Sequence, residues 1–279
     1  SLQSSVFSLQ SSVFSLQSSD QEMFKRLRIL LLLLVLLFVA LNAYFDRVYS
    51  TDWDNALYVT IFPINGDGSV VAERFIADLD PDDLHTLEAF FEREARRYEL
   101  ALERPVRMLL GRRIQALPPM LAEKSGALGT ILWSLRMRVW AWRHGDRPHG
   151  FPPDVKLFVL FFDPAHSSKL PHSVGLQKGL LGIVYAFADH RMMGSNDVVI
   201  AHELLHTLGA TDKYDPETNL PLHPHGYAEP GREPLYPQRD AELMGGRIPL
   251  SEHEAGIPES LERVRIGAKT AEEIGWVAR

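Results

Sequence analysis

Hydrophobic and polar positions change period several times along the chain, and each change marks a candidate element. From Ile29 to Phe45 the sequence reads ILLLLLVLLFVALNAYF, 17 residues with Asn42 the only polar one. A helix of that length covers roughly 25 Å, close to the ~30 Å hydrocarbon core of a bilayer, so a transmembrane helix is expected here. ALYVTIFPI, residues 56–64, is rich in β-branched and aromatic residues and runs into the turn-forming NGDG, which predicts a first strand. Asp80-Pro81-Asp82-Asp83 then offers an N-cap, a proline for the first helical position and acids for the first turn. The helix it opens is expected to run to about Leu102, with Leu84, Leu87, Phe90, Phe91, Ala95 and Tyr98 as its buried stripe.

Three further strands follow from short apolar runs. PVRMLLGRRI at 105–114 is the second, and VKLFVLFF at 155–162, apolar on both faces and therefore central, is the third. LLGIVYAFAD at 180–189 is the fourth. Between the second and third lies GALGTILWSLRMRVWAWRHG, residues 126–145, where Trp133, Trp140 and Trp142 alternate with Arg136, Arg138 and Arg143. Two readings stay open and are compatible: a crossover helix packed on the sheet, and an interfacial helix lying on a membrane. A last helix is expected over residues 197–208, with Ser195 or Asn196 as its cap and Gly209 as its stop. Strands interleaved with helices predict an α+β fold over residues 46–279, with a mixed twisted sheet and crossover helices.

Composition narrows the classes. At 46% hydrophobic and 23% charged, the 279 residues can fold around a sizeable core. A net charge of −7 gives no basic footprint, so no nucleic-acid partner is expected. With 0 cysteines, histidine and carboxylates are the strong zinc ligands left. Residues 1–22 hold the repeat SLQSSVF SLQSSVF SLQSS, which is expected to be an artificial leader ahead of Met23 and carries no fold reasoning. Lys25, Arg26 and Arg28 precede the apolar run, so residues 23–45 are expected to form a cytoplasmic basic end and an anchor, with the remainder outside the cytoplasm. Cleavage after Ala40 or Ala43 would place Phe38 or Leu41 where a small residue is needed, which favours an uncleaved anchor.

The chemistry concentrates in HELLHTLGATDKYD, residues 202–215. His202 and His206, four apart on a helix, share one face where two imidazoles can meet one ion. Glu203 can aim its carboxylate at a water on that ion without being a ligand. Gly209 allows a sharp turn after the helix and returns Asp212 toward the ion, completing HExxHxxGxxD. Asp212 could instead cap or turn the chain.

This extended motif resembles that of the metzincin zinc peptidases, and more closely the snapalysin-type branch, in which an aspartate replaces the third histidine and is followed, one residue later, by a tyrosine, as in Asp212-Lys213-Tyr214. Ala241-Glu242-Leu243-Met244-Gly245-Gly246 is similar to the turn that sets a methionine beneath the zinc in that family, which makes Met244 the candidate Met-turn residue. The resemblance spans residues 180 to 246 and implies a metzincin-like sheet, an active-site helix and a small C-terminal subdomain over 196–279. It implies Zn2+ on His202, His206 and Asp212, with Glu203 as general base in hydrolysis of protein or peptide substrates. It also implies that the fourth strand, through Gly182, Ile183, Val184 and Tyr185, is the edge that pairs with an extended substrate, although Tyr185 could simply pack. The stretch from Tyr214 to Asp240, rich in proline and holding His223 and His225, departs from the family pattern, and no tyrosine follows Met244. Two alternatives are a gluzincin-like site with Glu229 or Glu242 as third ligand, and a membrane-tethered binding protein with a silent metal.

Overall fold

The computed structural model describes residues 24–34, 36–37, 52–120, 126–145, 153–166, 170, 173–176 and 180–277, and the chain divides into two compact units, Ser1–Asp46 and Arg47–Arg279. In the first unit, residues 24–34 and 36–37 are helical and their large apolar side chains are exposed. Residue 35 and residues 38–45 of the expected anchor, like the expected leader, lie outside the described residues. Among the described residues no helix is long and apolar enough to cross a membrane.

The second unit is a mixed α/β fold on a five-stranded sheet of order β2-β1-β3-β5-β4. Its strands are β1 (Leu57–Asn65), β2 (Val106–Leu110), β3 (Val155–Phe162), β4 (Val174–Leu176) and β5 (Leu181–Phe187). The first, second, third and fifth run parallel, while β4 lies antiparallel on β5 at the sheet's end. Side-chain alternation sends Leu157, Val159 and Phe161 of β3 into one core and Phe158 and Leu160 into the other. Burial on both faces is what the uninterrupted apolar run required.

One face is covered by α1 (Val70–Asp78), α2 (His85–Arg97), and α4 (Met193–Leu208), with α5 (Ala268–Glu273) joining the same core. The other face is covered by α3 (Ala127–His144), which buries Trp133, Met137 and Ala141 against Phe62, Phe158 and Ile183. The crossover reading of residues 126–145 therefore describes its inner side. The Asp80 side chain accepts from Asp82 N at 3.0 Å and closes a capping box, but only a 3-10 turn (Pro81–Leu84) precedes α2. Its stripe is buried at Leu84, Leu87, Phe90, Phe91 and Ala95. The helix ends at Arg97 rather than near Leu102, because Glu99 takes a left-handed φ of 54°.

Two elements went unforeseen. The helix α1 follows the NGDG turn at once and is capped by Ser69, whose Oγ accepts from Ala72 N at 3.1 Å. The three residues of β4 pair with Leu181, Gly182 and Ile183, so β5 is not an edge strand. Tyr185, expected on that edge, is buried beneath α3, and its backbone N–H donates to Ser173 Oγ at 3.0 Å.

Candidate metal centre

The helix α4 starts at Met193, four residues before the expected Asp197, and neither Ser195 nor Asn196 caps it. Asp189 instead caps a preceding 3-10 turn, accepting from Arg191 N at 2.9 Å. Asn196 does other work: its side-chain amide bonds both Phe187 N (3.0 Å) and Phe187 O (2.9 Å), fixing the helix to the end of β5. Ile200, Ala201, Leu204, Leu205 and Leu208 bury one side of α4, leaving His202 and His206 on the opposite, partly open side. At the C-terminus Gly209 adopts φ 104°, and its N–H returns to His206 O at 3.1 Å. A side chain is strained at that φ, so the glycine is what lets the chain reverse.

After the turn, Asp212 comes back onto the two imidazoles. Its Oδ1 lies 3.1 Å from His202 Nε2 and 3.1 Å from His206 Nε2. A tetrahedral ion with ~2.0–2.1 Å bonds holds neighbouring ligand atoms about 3.3 Å apart, so the three atoms already stand near ligand separation. Both rings are oriented from behind. His202 Nδ1–H donates to Leu243 O and His206 Nδ1–H to Ala210 O, each at 2.9 Å. These bonds orient both rings so that each Nε2 faces Asp212. Burial opposes ionisation of Asp212, but the hydrogen bonds from His202 and His206 outweigh it and hold the carboxyl well below the usual carboxylate range. Glu203 is 5% exposed, and His202, Glu203 and His206 bring one ligand atom each within 4.8 Å of one another, a group that could hold a metal ion.

The loop bearing Asp212 is clamped by residues that the motif did not mark. Glu273, in the last turn of α5, accepts from Thr211 N (2.9 Å), Thr211 Oγ1 (3.0 Å) and Lys213 Nζ (2.7 Å). Asp212 thus sits between two residues anchored on one carboxylate. Lys213 is itself buried at 5% exposure, and its N–H donates to Met244 O at 2.9 Å. Met244 is fully buried, and the turn around it supplies backbone carbonyls to His202 and Lys213. Nothing local in the sequence tied Glu273 to residue 213, 60 positions earlier.

Downstream alternatives for the third ligand are engaged elsewhere. Glu242, completely buried, accepts from Gly245 N (2.7 Å), Gly267 N (3.0 Å) and Thr270 Oγ1 (2.7 Å), tying the Met244 turn to the start of α5. Glu229 pairs with Arg232 at 3.1 Å. His223 bonds Pro230 O and is exposed, as is His225.

Beside His202 opens a cleft walled by Val198, Val199, Tyr214, Asn219 and the Gly245-Gly246 pair, with Arg247 the one Lys or Arg among its lining residues. The Tyr214 ring lies 6.4 Å from that of His202. No protein-family model matches the chain, and no curated protein matches it.

Proposed function

We propose that this chain is a zinc-dependent endopeptidase of metzincin type, closest to the snapalysin-type branch, anchored in a membrane with its second unit outside the cytoplasm. The observation that carries the reading is Asp212 Oδ1 at 3.1 Å from both Nε2 atoms, with both Nδ1 atoms bound from behind. Two imidazoles and a carboxylate would suit zinc, and three protein ligands beside a cleft are the pattern of a catalytic rather than a structural site. Zinc held there supplies Lewis-acid polarisation of a peptide carbonyl and acidifies water. Asp212 in place of a histidine lowers the formal charge of the centre from +2 to +1, so a base beside it has more to do.

Glu203 is that base. It follows His202 in α4, takes a proton from the attacking water and delivers it to the leaving amine nitrogen. The substrate lies extended along the outer side of β4, which ends the sheet among the described residues and packs near α4, and not along β5. Arg247 receives an acidic side chain flanking the scissile bond. Lys25, Arg26 and Arg28 ahead of the apolar run support the orientation in the membrane. Metal analysis of the purified full chain together with digestion of a peptide library tests the reading. One zinc per chain and chelator-sensitive cleavage are expected; a metal-free chain, or cleavage indifferent to chelation, overturns it.

A further inference from the structure

The helix α3 has two apolar faces. The inner one, Trp133, Met137 and Ala141, is buried on the sheet. On the outer side Leu128, Ile131, Leu132, Leu135, Val139 and Trp142 are each at least 50% exposed, Trp142 reaching 79%. Leu128, Leu132, Leu135, Val139 and Trp142 follow alternating steps of four and three, a continuous stripe along 15 residues of helix. The preceding loop extends it, since Pro119 lines the same shallow groove and Leu117 and Met120 are exposed nearby in sequence. A contiguous exposed patch of this kind marks a contact surface.

Charge identifies the occupant. From Ala127 to His144 the helix carries Arg136, Arg138 and Arg143 and no acid, within a protein of net charge −7. Arg136 and Arg143 flank the stripe on one side and Arg138 on the other. A second copy pairing along the same 3-4 seam would set these arginines against one another: Arg138 against Arg143 in parallel, Arg136 against Arg143 and Arg138 against itself in antiparallel. Three of the five flanking positions, Arg136, Arg138 and Arg143, carry the same charge and the other two, Gly129 and Ile131, carry none, so nothing offsets the repulsion in a self-paired seam. An anionic lipid surface reverses the sign, with arginines reaching headgroup phosphates while leucines and the indole of Trp142 enter the acyl boundary.

We infer that α3 lies flat on an anionic phospholipid bilayer through this outer face. The contact is separate from the peptidase reading and from the apolar run at residues 29–45, and it orients the second unit by a surface of its own.

The absence of cysteine allows single labels. Full-length chain carrying Leu135→Cys or Val139→Cys, each with an environment-sensitive fluorophore, is reconstituted into phosphatidylcholine vesicles with or without about one-third phosphatidylglycerol, a content that sets the surface potential. Ile257→Cys, at an exposed position of the same unit, serves as the reference. Expected is a blue shift at residues 135 and 139 with strong quenching by brominated lipid in the anionic vesicles, and neither at 257. Replacing Arg136, Arg138 and Arg143 with Gln should abolish most of that quenching while leaving the circular dichroism spectrum unchanged. The inference is overturned if residues 135 and 139 stay as wet as 257, or if quenching is equal in both vesicle types and indifferent to the arginines. A blue shift without lipid quenching, accompanied by dimer formation or by capture of an acidic helix, also overturns it.

Discussion

Across ten residues of chain, His202 Nε2 and Asp212 Oδ1 meet at 3.1 Å. An aspartate serving only as a turn residue after Gly209 would bond its own loop, yet this one is aimed at the face of α4 that carries both imidazoles. Asp212→Ala should therefore weaken zinc binding sharply, whereas Asp212→Asn, which keeps the size and loses the charge, should fall between Ala and the parent. Asp212→His rebuilds a three-histidine centre and should recover affinity if the loop admits the ring. Zinc dissociation constants measured by chelator competition across the four proteins decide it, and a flat series would return Asp212 to a structural role.

Glu203 separates binding from turnover. On the proposed ligand set of His202, His206 and Asp212, Glu203→Gln should retain one zinc per chain and lose hydrolysis by on the order of 10²-fold or more. Parallel metal content and peptide cleavage rates give both numbers from one preparation. Undiminished cleavage in the zinc-loaded variant would remove Glu203 from the mechanism.

The clamp behind Asp212 is open to a test of its own. Glu273 holds Thr211 and the buried Lys213, so Glu273→Ala strands a cation in the interior and should cost about 3–5 kcal/mol. Burial raises the pKa of Glu273, but the bond from Lys213 and those from Thr211 prevail and lower it. A lowered carboxylate pKa contributes stability that is present above the unfolded value near 4 and is lost as pH falls through the folded value. The stability gap between parent and variant should accordingly narrow on acidification below about pH 4. Double replacement with Lys213→Met should restore much of the stability without restoring zinc affinity. Restoration of both would show that the clamp does not position Asp212.

Much of this architecture was legible because single segments carried it. The apolar run of β3 announced a strand buried on both faces, and Gly209 marked the end of α4 by the only backbone conformation that allows the chain to reverse there. The unforeseen parts depend on distant partners. In β4, three residues acquire meaning only by antiparallel pairing, and without them β5 looked like an edge. Val70-Val71 opens α1 with β-branched residues directly after a turn, so local preference argued against a helix that packing of Phe75 and Ile76 secures. Glu242, offered by the sequence as an alternative ligand, and Glu273, which no motif marked, take their roles only when the fold brings Gly267, Thr270, Thr211 and Lys213 to them. For α3 the composition supported two readings because the helix has two faces, one apolar toward the sheet and one apolar toward solvent.

Specificity should follow Arg247. As the Lys or Arg lining the cleft beside His202, it should favour peptides with Glu or Asp flanking the scissile bond. Arg247→Glu is expected to invert that preference toward Lys and Arg with zinc content unchanged, since the residue lies outside the ligand set. Comparing cleavage-site frequencies in one peptide library for the two proteins is sufficient. An acidic preference that survives the charge reversal would place the recognition elsewhere in the cleft.

Asp197 carries the clearest pH signature outside the ligand set. The early start of α4 at Met193 moves this residue from the exposed helix entrance into the second turn, where it is 4% exposed. Burial first, and the charge of Asp83 second, push its pKa up to about 7. The unfolded value is near 3.9, so between about pH 4 and pH 7 the folded state holds a proton that the unfolded state has released. Stability arising from this group must then fall as pH rises through that window, the reverse of the behaviour of Glu273. The penalty at pH 8 is on the order of a few kcal/mol. Asp197→Asn keeps the shape, cannot ionise, and should match the parent near pH 4.5 while exceeding it increasingly toward pH 8. Asp83→Asn should give a smaller shift in the same direction, because it removes the lesser of the two causes. Urea unfolding of the three proteins at pH 4.5, 6 and 8 reads these differences directly. A stability gap between Asp197→Asn and the parent that is constant across the series would mean that the carboxyl keeps its ordinary pKa and that a water or a cation reaches it in the folded protein.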